Sequence, residues 1–70
     1  MYPIKVKDVE EREVVFLHNY KKMSFVHAYI KTVYYKKEKK FIFCRIKNCA
    51  QRLIGPEETV YREWDKPFKL

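Results

Sequence analysis

Glycine is almost absent from this chain: one residue in 70, Gly55. A glycine-rich phosphate loop is thereby excluded, and with it the nucleotide-hydrolysing chemistry built on one. There is no H-E-x-x-H stretch and no Ser-His-Asp order to assemble. A Cys44–His27 nucleophile pair would need a cleft that so short a chain scarcely provides. A non-enzyme is therefore expected. The two cysteines, Cys44 and Cys49, suffice for one disulfide or half of a zinc site. No apolar run approaches the roughly 20 residues of a membrane span, and no signal-peptide pattern opens the chain. The expected setting is a reducing compartment, nuclear or otherwise intracellular, with no membrane partner and no small-molecule substrate.

Acids are scarce in the middle. Residues 14–56 hold ten Lys/Arg and one acid, Glu38, a net +9. The remaining residues hold six Lys/Arg and eight acids, a net −2. Segregated positive charge points to a polyanionic partner. The competing reading is a solubilising surface, since small domains often carry such a charge.

What is present is β pattern. Aromatics make up 17% of the chain, which suits strands. Residues 1–13 read as a lead-in, either solvated or folded back, with Tyr2 to Val6 as an edge strand. Residues 14–70 read as one small domain, whose size limits burial to about 60% of the unfolded surface. Its sheet is expected to be antiparallel and four-stranded, near 14–17, 25–35, 40–46 and 51–62. Val14-Val15-Phe16-Leu17 is a short apolar run, and His18 to Lys22 a polar turn. Alternation along 25–35 separates Phe25, His27, Tyr29, Lys31, Val33 and Tyr35 from Val26, Ala28, Ile30, Thr32 and Tyr34. The second set is the more uniformly apolar and is the expected core face. Lys36-Lys37-Glu38-Lys39-Lys40 reads as a hairpin loop. Gly55-Pro56-Glu57-Glu58 is a further turn, after which Thr59 to Arg62 continues strand four or forms a fifth.

Phe41-Ile42-Phe43-Cys44 followed by Cys49-Ala50-Gln51-Arg52-Leu53 resembles the FLYWCH-type zinc finger, a relative of the WRKY and GCM DNA-binding domains. Phe16, the pair Phe25-Val26, Ala28-Tyr29 in the place of Gly-Tyr, and Val60 extend the resemblance over about residues 14–67. The family's closing H-x-H-P aligns with Trp64-Asp65-Lys66-Pro67, keeping the proline and neither histidine. The resemblance implies a small four-stranded WRKY/FLYWCH-like sheet and DNA or protein partners. Zinc is expected to be lost, with Trp64 filling the vacated corner. A rearranged metal site would use Cys44 and Cys49 with His18, His27 or Asp65.

The residues expected to meet nucleic acid are Lys31, Lys36, Lys37, Lys39, Lys40, Arg45, Lys47 and Arg52. Lysines suit phosphate contact, and arginines also read guanine edges. Tyr29, Tyr35, Phe41 and Phe43 are candidates for base stacking, set against ordinary sheet packing. DNA is the first expected partner, RNA the next. A protein docked by strand addition is the alternative.

Overall fold

The computed structural model describes residues 1–20 and 24–70. Of the expected turn at 18–22, Lys21 and Lys22 lie outside the described residues. As expected, the chain is mainly β and forms one open antiparallel sheet. That sheet has six strands among the described residues, not four. They are β1 (Tyr2–Lys5), β2 (Val14–Phe16), β3 (Ala28–Tyr35), β4 (Lys40–Arg45), β5 (Gln51–Ile54) and β6 (Thr59–Arg62). Their spatial order is β1-β6-β2-β3-β4-β5.

The two extra strands come from two corrections. The stretch 51–62 is divided at Gly55-Pro56, where Glu58 N–H donates to the Gly55 carbonyl and Gly55 N–H donates to the Glu58 carboxylate. β5 and β6 do not pair; they lie four strand spacings apart, about 19 Å across a flat sheet. The link from Ile54 to Thr59 could span about 17 Å if fully extended, and it is turned. The sheet therefore rolls, bringing β5 and β6 toward each other.

The second correction concerns the lead-in. Of its two readings, the folded-back edge strand is the one found: Tyr2–Lys5 keeps exposed side chains at Tyr2, Pro3 and Lys5 but pairs with β6 along its whole length, Tyr2 opposite Arg62 and Lys5 opposite Thr59. Pro3 is tolerated because β1 is an edge strand. β1 and β2 both run antiparallel to β6, hence parallel to each other, so residues 6–13 must cross back between them. The crossing opens with a 3-10 turn at Val6–Asp8 and buries Val6 and Val9.

The main core lies on the inner face of the roll. Val6, Val9, Val15, Tyr29, Phe43, Ile54 and Val60 form it, with Ile4, Leu17 and Phe41 against them. All six strands contribute to this cluster. The inward face of β3 is thus the one carrying Tyr29 and Lys31, the reverse of the expected assignment. Ala28 and Ile30 face outward, where they meet Val14, Phe16, Tyr20 and Ile46 in a smaller cluster. Periodicity separates the two faces of β3; the direction in which the sheet rolls decides which is enclosed.

β3 starts later than expected. Phe25–His27 is a 3-10 turn whose Val26 N–H donates to Ser24 Oγ at 3.4 Å. The pairing of β3 with β4 shifts register between Lys31 and Tyr34, beyond which Tyr34 and Tyr35 are exposed. Trp64 is 47% exposed and rests beside Phe68, ring centroids 5.0 Å apart. It does not fill the core, whose space is taken by Val6, Val9 and Phe43.

Among the described residues, two charged groups are enclosed. Glu13 is fully buried and accepts from Arg62 Nε at 2.8 Å, Arg62 Nη2 at 2.9 Å and Glu10 N–H at 3.0 Å. The Lys31 ammonium donates to the Val6 carbonyl at 2.9 Å and the Val9 carbonyl at 2.5 Å, and lies 4.0 Å from the Phe41 ring centroid. These bonds tie the 6–9 crossing to the sheet.

Candidate nucleic-acid interface

The β3–β4 hairpin presents the first basic group. Tyr35 pairs with Lys40, and the four residues between them form a turn in which Lys39 N–H donates to the Lys36 carbonyl at 3.3 Å. Lys36, Lys37, Lys39 and Lys40 are all exposed. Lys39 sits at φ 55°, a left-handed conformation that a side chain makes costly. Beside the turn, Tyr35 lines an open groove of about 350 Å³ with Ile42, Gln51, Arg52 and Leu53. Tyr34 rests edge-on to Phe41, centroids 4.9 Å apart.

The β4–β5 corner presents the second group at the other end of β4. Cys49 N–H donates to the Arg45 carbonyl at 2.8 Å, and Asn48 Oδ1 accepts from Ala50 N–H at 3.0 Å. Lys47 is exposed at the tip. Arg45 Nε donates to the Val26 carbonyl at 2.7 Å, which fixes its guanidinium. Arg52 stands opposite Phe43, so it and Arg45 are diagonal neighbours on the inner face. Both line a cleft of about 180 Å³ with His18, Tyr20, His27, Leu17 and Tyr29. The His27 ring stacks on Tyr20 at 4.5 Å, and His18 meets Tyr20 edge-on at 5.7 Å.

Seven of the eight expected basic contacts thus reach the surface, at two ends of one hairpin. Lys31 does not; burial of its amine and its two carbonyl partners remove it from any phosphate. Burial also holds its pKa below the ordinary value of 10.5, against the opposing pull of Glu13 and Asp8. Tyr29 and Phe43 are buried in the core and cannot stack a base. Tyr35 is accessible, and Phe41 is half-covered by Tyr34 and Lys31.

Three of the nine acids are engaged elsewhere, and Glu38 lies within the lysine turn itself. Glu57 takes Lys7 at 3.0 Å and Lys5 at 3.3 Å, Glu10 takes Lys69 at 2.6 Å, and Glu13 takes Arg62. The hydrogen bond with Lys7 holds the Glu57 carboxyl below its usual range and raises the Lys7 amine; Lys69 likewise lowers Glu10. Among the described residues no ion pair involves residues 36–52.

The thiols do not find further ligands. Cys44 pairs with Ile30 and Gln51 on the outer face, while its neighbour Arg45 turns inward toward the histidines. His18 and His27 are therefore on the wrong side of β4 to join Cys44. Cys49 is exposed in the corner at φ 59°, and both cysteines are free. Among the described residues, no three Cys, His or carboxylate groups gather as a metal site. The donor set does not fit zinc.

Alternation along 25–35 set His27 on the face of Tyr29, where the cleft has it, whereas the place of His18 and Tyr20 beside it is not given by strand periodicity. The diagonal placement of Arg45 and Arg52 was within reach, since a hairpin turning at Lys47-Asn48 sets Arg45 opposite Ala50 and Arg52 opposite Phe43. No protein-family model, curated protein or solved structure matches this chain.

Proposed function

We propose that this protein is a non-enzymatic nucleic-acid-binding module, with DNA its first partner, acting in a nuclear or other reducing compartment. The observation that carries the reading is the run of seven cations, Lys36, Lys37, Lys39, Lys40, Arg45, Lys47 and Arg52, that make no ion pair among the described residues. Glu57, Glu13 and Glu10 are bound to Lys5, Lys7, Arg62 and Lys69 instead, and Glu38 is the one acid within residues 36–52 to offset the seven. A phosphate backbone meeting the free set releases its condensed cations. Tyr35, accessible beside the lysine turn, adds a face on which an unpaired base stacks. The FLYWCH resemblance agrees with this partner, and zinc has no part in the reading.

The test is DNA affinity against salt for the wild type and for the Lys36/Lys37/Lys39/Lys40→Ala variant. If two of these lysines contact phosphates, the log–log slope flattens by about two units, at about 0.9 per phosphate. The effect should be nearly equal for unrelated sequences, because phosphate contacts carry little base information. An unchanged slope removes the turn from the interface. A protein partner is the second reading, favoured by the outer-face cleft of about 290 Å³ where exposed Phe25 and Trp64 flank Val14 and Phe16. Binding that salt leaves untouched would favour it.

A further inference from the structure

We propose that the cleft between Arg45, Arg52, His18 and His27 is a phosphomonoester site, taking a terminal phosphate in preference to the internal phosphodiesters met by the lysine turn. The cleft opens beside Arg45, at the far end of β4 from that turn, and shares only Arg52 with the groove beside Tyr35.

The cleft is rich in donors. Arg45 spends Nε on the Val26 carbonyl and keeps the N–H groups of both terminal nitrogens. Arg52 makes no hydrogen bond or ion pair to the protein among the described residues, leaving all five of its N–H groups. The imidazoles of His18 and His27 and the Tyr20 hydroxyl add to these. Among the described residues, no carboxylate lines the cleft. Glu58, which shares the neighbouring cleft with His18 and Arg52, is held by Gly55 N–H at 2.6 Å and forms no ion pair with Arg52.

Charge and geometry select the ligand. Two guanidinium groups from diagonal positions about 7–8 Å apart can close on one anion between them. A monoester carries about −1.5 to −2 charges and three free oxygens, which matches two forks. An internal diester carries one charge and two free oxygens, and would leave donors unmet. The Val26 carbonyl fixes one fork in advance, so less side-chain freedom is lost on binding. The stacked Tyr20–His27 pair forms the wall against which the group next to the phosphate would lie.

The site stands on the cleft itself; it rests on the nucleic-acid reading only for the source of the phosphate. The test uses the full chain and three probes: inorganic phosphate, a short single-stranded DNA with a 5′-phosphate, and the same strand with a 5′-hydroxyl. Affinities come from titration calorimetry, and imidazole and guanidinium resonances report the location. The phosphorylated strand is expected to bind about tenfold more tightly, the equivalent of about 1.4 kcal/mol. Arg52→Gln, at an exposed position whose side chain makes no bond to the protein among the described residues, should bring that ratio to about one, because any general loss of a cation lowers the affinity of both strands alike. Inorganic phosphate that moves the His18 and His27 resonances while neither strand binds would support the site with a small monoester as its ligand, and would overturn the nucleic-acid reading. Equal binding of the two strands, with no response to inorganic phosphate, would overturn the site and leave that reading intact.

Discussion

The protein holds inward-facing cations in two places and treats them in opposite ways. Around Glu13, every charge is answered. Arg62 binds the carboxylate through two nitrogens, and the Lys31 amine is capped by two carbonyls and the Phe41 ring. Around Arg52, charge is left open and, among the described residues, carboxylates are absent from the cleft. Burial makes the difference. An unanswered charge deep in the roll would cost several kcal/mol, whereas water at its rim solvates a free guanidinium. Positive charge in this chain is thus structural where it is enclosed and available where it is not, and residue type alone does not separate the two.

The largest expected effect tests the enclosed end. Glu13→Ala removes a fully buried acceptor and leaves Arg62 without its partner, which should cost about 3–5 kcal/mol. Arg52→Ala, at the open end, should stay within about 0.5 kcal/mol. Chemical denaturation of both variants measures the contrast, and equal costs would erase it.

Lys31→Met comes next. It orphans the Val6 and Val9 carbonyls but also removes a buried charge, for a net loss of about 2 kcal/mol. The pH dependence gives a sharper readout. The amine's pKa is lowered in the folded state, so the unfolded chain binds more protons there. Its contribution to stability should therefore rise as pH climbs from the depressed folded value toward the ordinary 10.5. The wild type should gain on Lys31→Met over that window; a flat difference would place the amine in contact with water.

Lys31 also marks the limit of what the sequence made legible. The β3–β4 hairpin was readable from Tyr29 to Phe43, because strand-forming residues flank one block of charge. Its inward face was not, since its carbonyl partners belong to Val6 and Val9, in a stretch dominated by Asp8, Glu10, Glu11 and Glu13. The signal there was two valines spaced by three, which a 3-10 turn brings to one side. Trp64 was misplaced for a related reason: a large apolar side chain reads as core until the smaller residues that fill the space are known. Of the candidate site, the lysine turn and Arg45, Lys47 and Arg52 were legible as exposed charge. The face of His27, shared with Tyr29, followed from alternation, but its stacking on Tyr20 and the approach of His18 are tertiary outcomes.

The smallest effect belongs to Lys39. At φ 55° it occupies a backbone region that costs a side-chain-bearing residue about 1–2 kcal/mol. Glycine adopts the same region freely, although it also loosens the unfolded chain, so the net gain from Lys39→Gly should be about 0.5–1 kcal/mol. The turn's hydrogen bond from Lys39 N–H to the Lys36 carbonyl survives the change. The same substitution deletes one of the four lysine charges. If Lys39 meets a phosphate, the salt slope for DNA should flatten by about 0.9. Stability and affinity should then move in opposite directions in one variant, which neither a purely structural nor a purely solvating lysine would produce. Thermal unfolding and a salt-titrated binding curve on the same sample decide it. A stabilised variant with an unchanged slope would take Lys39 out of the interface and leave Lys36, Lys37 and Lys40 to carry it.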